Sequence, residues 1–86
     1  MIQVYTSDNC PYCVSAKEFL KSMDLDYSEV NISADPSKLM EAVNISGMMT
    51  VPQIFIWEPS KDSFIGGYDD MIKLHEAGEF LNKINV

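Results

Sequence analysis

The sequence predicts an α/β fold in which a small four-stranded mixed sheet has helices on both faces. Strand-like and helix-like segments alternate in the order β-α-β-α-β-β-α. The first β-α-β unit implies a parallel strand pair joined by a right-handed crossover, and the last two strands form a predicted hairpin. We expect the 86 residues to make a single domain, 1–86.

The first half of the chain predicts two strands separated by a helix. Residues 2–6 are a short β-favouring run, and residues 27–32 alternate in polarity, as strands do. Between them, apolar residues recur at helical spacing over 12–23. Pro11 fits the first position of this helix, where its missing N–H costs nothing.

A second helix and a third strand follow. Asp35 is the predicted N-cap of the helix, with Pro36 at its first position, and Gly47 is the predicted stop. The most hydrophobic stretch of the chain, 50–57, predicts a strand after Pro52.

The chain closes with a hairpin and a last helix. Residues 63–65 are the predicted returning strand, and Gly66–Gly67 predicts a sharp bend because glycine adopts unusual φ angles freely. Asp69 or Asp70 is the predicted cap of the last helix, which should break or kink near Gly78.

Composition narrows the class of protein. The chain has 13 acidic residues, six lysines and no arginine, for a net charge of −7, which argues against a nucleic-acid partner. No apolar run approaches the roughly 20 residues of a membrane span, and residues 1–9 lack the features of a signal peptide. We expect a cytoplasmic monomer in a reducing compartment, without a membrane partner.

The only two cysteines stand in the motif Cys10-Pro11-Tyr12-Cys13, at the predicted start of a helix. At that place the first sulfur faces unpaired backbone N–H groups and the positive end of the helix dipole. Both favour the thiolate, which is the nucleophilic form of cysteine. The motif therefore predicts thiol–disulfide chemistry.

Two structural uses of the cysteine pair remain open at this point. A static disulfide would enclose too small a loop to stabilise the fold much. Half of a zinc site would leave only His75 as a nitrogen ligand, where four ligands are usual. We expect no metal.

Three blocks of the sequence resemble the dithiol glutaredoxins, and they occur in that family's order. They are Cys10–Cys13, the run Thr-Val-Pro-Gln-Ile-Phe-Ile at 50–56, and Gly-Gly-Tyr-Asp-Asp at 66–70. The resemblance extends over essentially the whole chain. It implies a thioredoxin-like (glutaredoxin) fold and glutathione as the reducing co-substrate.

The resemblance also implies a role for each matching residue. Cys10 corresponds to the family's nucleophile and Cys13 to its resolving thiol. Val51-Pro52 corresponds to a cis-proline step whose backbone pairs with glutathione. The full set of implied glutathione contacts is Tyr12, Thr50, Val51, Pro52, Gly67, Tyr68, Asp69 and Asp70.

The chain departs from the family where basic residues are common. Ser7 stands three residues before the first cysteine, and Met48 and Met49 precede Thr50. Bases at those places could reach the glycine carboxylate of glutathione, so we expect weaker glutathione binding here. Lys38, on the predicted second helix, is the remaining candidate for that carboxylate.

The resemblance implies a glutathione-dependent thiol–disulfide oxidoreductase that reduces protein disulfides and glutathionylated thiols through a Cys10 mixed disulfide. Ribonucleotide reductase is one partner such a protein could serve. Two alternatives remain: an electron donor fed by a thioredoxin reductase, and a binding module that carries an iron–sulfur cluster on Cys10 and glutathione.

Overall fold

The computed structural model describes residues 1–84. Its elements follow the predicted order, and the last predicted helix is divided into two at the predicted break. The strands are β1 (Ile2–Thr6), β2 (Tyr27–Asn31), β3 (Gln53–Phe55) and β4 (Phe64–Gly66). The helices are α1 (Pro11–Ser22), α2 (Ser37–Ser46), α3 (Tyr68–Glu76) and α4 (Phe80–Ile84).

The strands form one mixed sheet in the order β2-β1-β3-β4. Strand β1 runs parallel to β2, with Ile2 opposite Tyr27 and Thr6 opposite Asn31. Strand β3 is antiparallel to both β1 and β4. The predicted parallel pair and the terminal hairpin are therefore confirmed.

Apolar residues on both faces of the sheet are covered by helices. On one face, Leu20 of α1, Met71 of α3 and Phe80 of α4 are fully buried against the sheet. On the other face, Ala42 of α2 packs against Tyr5 and Phe55. Burial of each large side chain contributes roughly 1.5–3 kcal/mol. The two-sided arrangement confirms the predicted helices on both faces of the sheet.

Two predicted boundaries in the hairpin were wrong. Strand β3 ends at Phe55 instead of 57 because the pairing with β4 is irregular between Ile54 and Phe55. Trp57 then lies in the turn and is 45% exposed. The returning strand is shifted by one residue, to Phe64–Gly66.

Two predicted helix starts were also displaced. Helix α2 begins at Ser37, although the Asp35 carboxylate still accepts its backbone N–H at 3.2 Å. Helix α3 is capped by Gly67, and Asp70 lies in its first turn, where its carboxylate accepts the Gly67 N–H at 3.0 Å. The predicted acidic cap therefore acts from inside the helix.

The predicted ends of the helices are confirmed. Helix α2 stops at Gly47, which has a left-handed backbone with φ 75°. Helix α3 ends at Glu76, and the chain turns at Gly78, with φ 74°, before α4 begins. No helix within residues 1–84 is long and apolar enough to cross a membrane.

A polar bridge ties α1 to the sheet beneath it. The buried hydroxyl of Thr6 donates to the Glu29 carboxylate at 2.6 Å, and the Lys17 ammonium lies 3.1 Å from the same oxygen. The hydrogen bond from Thr6, with a further contribution from Lys17, holds the pKa of Glu29 below its ordinary value of 4.5.

This bridge predicts an acid-dependent loss of stability. A carboxyl group whose pKa is lowered by folding stabilises the protein fully above its unfolded value, 4.5. That contribution is lost as the pH falls through the lower folded value. We expect Glu29→Gln to flatten the fall of the urea midpoint between near-neutral and strongly acidic pH. The same change at exposed Glu18 should leave the profile unchanged, and equal profiles for both variants would contradict this account.

Candidate active site

The two cysteines lie at the start of α1, directly beyond one end of the central strand. Strand β1 ends at Thr6, residues 7–9 turn the chain, and Cys10 is the N-cap with extended backbone angles. The backbone N–H of Cys13 donates to Cys10 Sγ at 3.1 Å. The sulfur therefore takes the place of the side-chain oxygen that usually caps a helix.

Cys10 and Cys13 form a disulfide, with their Cα atoms 5.2 Å apart. The two sulfurs are not equivalent: Cys13 is 1% exposed, whereas Cys10 is only partly buried. Cys10 Sγ lies 3.8 Å from the Val51 carbonyl oxygen, across from the loop that leads into β3. An incoming thiol or disulfide therefore meets Cys10 first, and Cys13 can react only with what is already attached to Cys10.

An open groove of about 390 Å³ lies beside the cysteines, between α1, the loop before β3 and the start of α3. It brings together all the residues that the resemblance predicts around glutathione, apart from Lys38. Its Val51–Pro52 peptide bond is cis, as the resemblance implies. The groove is lined by Tyr12, Met48, Thr50, Val51, Pro52, Gly67, Tyr68, Asp69 and Asp70.

Two tyrosines form facing parts of the groove wall. The ring centroids of Tyr12 and Tyr68 are 6.2 Å apart, with the planes tilted by 37°. Tyr12 is 60% exposed, although it is a large aromatic side chain. Such a wall offers flat apolar surface with hydroxyl groups at its rim, which suits a small polar ligand or a peptide.

The start of α3 closes the far side of the groove, and Gly66 makes that geometry possible. Gly66 is buried with φ 126°, and a Cβ there would lie 2.7 Å from the Asp70 Cγ. Since Asp70 accepts the Gly67 N–H, this close approach keeps the first turn in place. The N-terminus of α3, with the positive end of its dipole, thus lies at the groove, where a carboxylate is favoured.

Lys38 does not join this groove. It lies in the first turn of α2, where its ammonium is 3.4 Å from Glu41 in an exposed ion pair. Met48, one of the two methionines that precede Thr50, lines the groove. The charged side chains in the lining are the two carboxylates of Asp69 and Asp70.

Gln53 is a buried organising residue that the sequence analysis did not single out. It is fully buried, and its amide nitrogen donates to the carbonyl oxygens of Met48 at 2.6 Å and Thr50 at 3.0 Å. Its amide oxygen accepts from the Ser46 hydroxyl at 2.7 Å. One side chain thereby holds the groove loop to the end of α2. The available signal was a polar residue inside the hydrophobic run after Pro52.

The arrangement of His75 bears on the zinc alternative. His75 packs edge-on against Phe19, with ring centroids 5.0 Å apart. Within residues 1–84, no group of three or more His, Cys, Asp or Glu side chains is arranged to hold a metal ion. The described residues thus give the cysteines no partners for a zinc site within the chain.

The fold and the site together define a thiol–disulfide oxidoreductase. An α/β sheet presents an accessible cysteine at a helix N-terminus, and this cysteine is bonded to a buried one.

Comparison with known proteins agrees. The family model described as Glutaredoxin matches residues 2–58. Glutaredoxin 3 of Escherichia coli (strain K12) is 39% identical over 77 residues, covering 90% of this chain and 88% of its own. The glutaredoxin of Pseudomonas aeruginosa is 36% identical over 78 residues, covering 91% and 88%.

The chain therefore belongs to the glutaredoxin family, whose members are thiol–disulfide oxidoreductases. Solved structures agree on the thioredoxin-like fold. The solution structure of a Brucella melitensis glutaredoxin matches with a TM-score of 0.79 at 33% identity, over 99% of this chain and 90% of that one. A buckwheat glutaredoxin–glutathione complex has a TM-score of 0.84 at 20% identity, over 98% and 76%, and is similar in fold.

Proposed function

We propose that this protein reduces disulfides and glutathionylated thiols through a mixed disulfide on Cys10, with glutathione as the reductant. The observation that carries the proposal is the inequality of the two sulfurs. Cys10 is accessible and receives the Cys13 N–H, whereas Cys13 is buried behind it. The first property favours attack by Cys10, and the second leaves Cys13 to resolve the product.

Each step exchanges one S–S bond for another. The Cys10 thiolate attacks one sulfur of a substrate disulfide, the S–S bond of the substrate breaks, and the leaving thiolate takes a proton from water. With a protein disulfide, Cys13 then attacks Cys10 and releases the second substrate thiol. Two glutathione molecules reduce the Cys10–Cys13 disulfide and leave as oxidised glutathione.

With a glutathionylated thiol, Cys10 takes the glutathione group and releases the protein thiol. A second glutathione then attacks the glutathione sulfur of the mixed disulfide, which releases the Cys10 thiolate and oxidised glutathione. This monothiol route does not require Cys13. The proposed substrates are proteins with disulfides, such as ribonucleotide reductase, and proteins with glutathionylated thiols. The proposed location is the cytoplasm.

The groove beside Cys10 is the proposed glutathione site. Backbone groups of Val51 would pair with the glutathione cysteine unit while the start of α3 receives its γ-glutamyl carboxylate. Asp69 would accept from the ammonium group, since Asp70 already accepts the Gly67 N–H. The similarity in fold to a buckwheat glutaredoxin–glutathione complex supports this placement.

A trapping experiment tests the proposed nucleophile. Cys13→Ser should accumulate one glutathione in a mixed disulfide when incubated with oxidised glutathione, and peptide mass mapping should locate it on Cys10. Cys10→Ser, whose only thiol is the buried Cys13, should accumulate none. Comparable glutathionylation of Cys10→Ser, or no attachment to Cys13→Ser, would overturn the assignment. The serine in Cys13→Ser keeps the backbone N–H that Cys10 Sγ accepts, so the helix cap is preserved in this variant.

The absence of a lysine from the groove lining leads to a prediction about affinity. Met48→Lys would place a cation beside the proposed site for the glycine carboxylate, where an ion pair contributes up to about 1 kcal/mol. We expect the half-saturating glutathione concentration to fall by roughly threefold. Met40→Lys adds the same charge at a 53% exposed position on α2 outside the lining and is the matched control. An equal effect of both changes would show that only net charge matters.

One alternative reductant is favoured by the same acidic lining. Because the charged lining residues, Asp69 and Asp70, are both acidic, the lining offers the glycine carboxylate of glutathione no cationic partner. A thioredoxin reductase would deliver electrons without a glutathione site. Reduction of the Cys10–Cys13 disulfide by NADPH with a thioredoxin reductase, and not by glutathione, would select this second candidate.

A further inference from the structure

The loop that leads to Cys10 is held by hydrogen bonds to the end of the neighbouring strand β2 and to the turn that follows it. Residues 7–9 connect β1 to α1, and the turn that follows β2 lies beside them. Asp8 donates its backbone N–H to the Ser33 hydroxyl at 3.0 Å, and its carboxylate accepts from the Asn31 side-chain amide at 3.0 Å. At the base of the loop, the Ile32 N–H donates to the Thr6 carbonyl at 2.8 Å.

The Asn31 side chain is fixed at both ends. Its amide oxygen accepts the backbone N–H groups of Ser33 at 2.8 Å and Ala34 at 3.3 Å. With the oxygen held by the turn, the amide nitrogen points to Asp8. Two donors on one side and a carboxylate on the other define the orientation of the amide.

The residue between this attachment and the nucleophile has an uncommon backbone conformation. Asn9 has φ 57°, in the left-handed region that non-glycine residues seldom occupy. That turn sends the chain from β1 into the N-cap geometry of Cys10, with the sulfur on the Cys13 N–H. Asparagine is among the non-glycine residues that adopt this conformation most readily, and the bonds of Asp8 hold the residue next to it.

We propose that Asn31 is a positioning residue for Cys10, which acts by clamping the 7–9 loop through Asp8 onto the turn after β2. The clamp has two consequences. It holds the cap geometry in which the Cys10 sulfur receives an N–H, and it keeps the Asp8 carboxylate, two residues from that sulfur, on the turn. Both favour the thiolate, because a loose carboxylate near the sulfur would oppose its ionisation.

Other ionisable groups near Cys10 lie outside the clamp. Those that share its groove are Tyr12, Tyr68, Asp69 and Asp70. Within residues 1–84, none of them is hydrogen-bonded to Asn31 or Asp8, and Lys17 is engaged by Glu29. Substitutions at Asn31 should therefore alter the ionisation of the Cys10 thiol through their effect on Asp8.

Substitutions that break and then restore the clamp provide the test. Asn31→Asp keeps the oxygen acceptors of the turn but sets a second carboxylate against Asp8. Combining it with Asp8→Asn restores a hydrogen bond of reversed polarity. Asn44→Asp, at an exposed position of α2, adds the same charge and is the control. The readout is iodoacetamide alkylation of the reduced protein in the Cys13→Ser background, measured as a function of pH and located by mass spectrometry.

We expect Asn31→Asp to slow alkylation of Cys10 at neutral pH by roughly tenfold and to move the midpoint of the pH profile upward. The double variant should return to within about twofold of the parent, and Asn44→Asp should match the parent. A parent-like profile for Asn31→Asp, or a double variant as slow as the single one, would overturn the proposal.

A second variant keeps the proposal testable if Asn31→Asp does not fold. Ser33→Ala removes only the exposed hydroxyl that receives the Asp8 N–H. It should slow alkylation in the same direction, and an unchanged rate would overturn the proposal. The inference rests on Cys10 as the attacking thiol. Alkylation of Cys13 in a Cys10→Ser protein as fast as that of Cys10 in the parent would refute that assignment, whereas a parent-like rate in the variants would refute the clamp alone.

Discussion

Cys10→Ser should reduce the turnover of every disulfide substrate to the uncatalysed background. A serine hydroxyl is not a thiolate at neutral pH and forms no S–S bond, so both the monothiol and the dithiol routes lose their first step. The fold should remain, because a serine oxygen is a good helix N-cap and still accepts the Cys13 N–H. The measurement is reduction of a glutathionylated peptide alongside the far-ultraviolet circular dichroism spectrum.

The matched control for this change is Cys13→Ser. It should retain turnover of the glutathionylated peptide, since the monothiol route needs only Cys10, and it should lose the intramolecular disulfide. Residual turnover by a well-folded Cys10→Ser protein would contradict the assignment of roles. It would mean that the buried sulfur, 1% exposed, is the one that attacks.

Gln53→Leu should lower the stability of the fold substantially. The leucine is similar in volume but leaves the Met48 and Thr50 carbonyl oxygens and the Ser46 hydroxyl without their Gln53 partner. A buried polar group without a partner costs about 1–3 kcal/mol, so the free energy of unfolding should fall by at least about 2 kcal/mol. Urea denaturation measures it.

The same substitution should also weaken substrate binding in the groove. Gln53 attaches the loop that carries Val51 to the end of α2, so its loss should raise the half-saturating substrate concentration. Gln3→Leu is the control, because Gln3 is a half-buried glutamine on the neighbouring strand β1. Equal stabilities of the two variants would show that the Gln53 network contributes little.

The sequence was sufficient to predict the order of the elements, because strand and helix periodicities are local properties. It also placed Cys10 at a helix start, since the Pro11 that follows is itself a local signal. The two hairpin boundaries were missed because pairing irregularities depend on the partner strand. Asp70 was predicted as a cap residue, but its place inside the first turn depends on the close approach of Gly66.

The residues that organise the site were harder to predict than those that form it. Asn31 and Asp8 are 23 positions apart in sequence, and no local pattern signals their hydrogen bond. Gln53 stood out only as a polar residue inside the hydrophobic run after Pro52, which did not indicate its partners. Lys38 was selected by charge and element, but the face of α2 that it occupies pairs it with Glu41. The contacts of Asn31 and Gln53 join separate segments of the chain, so they are tertiary properties of the fold.

The central claim is that Cys10 alone begins a glutathione-coupled exchange. The most direct test is turnover of a glutathionylated peptide with glutathione, glutathione reductase and NADPH, for the wild type and Cys13→Ser. We predict sustained turnover by both proteins. No turnover by either, although both are folded and reduced, would contradict the glutathione-dependent account and favour a thioredoxin-reductase-fed donor.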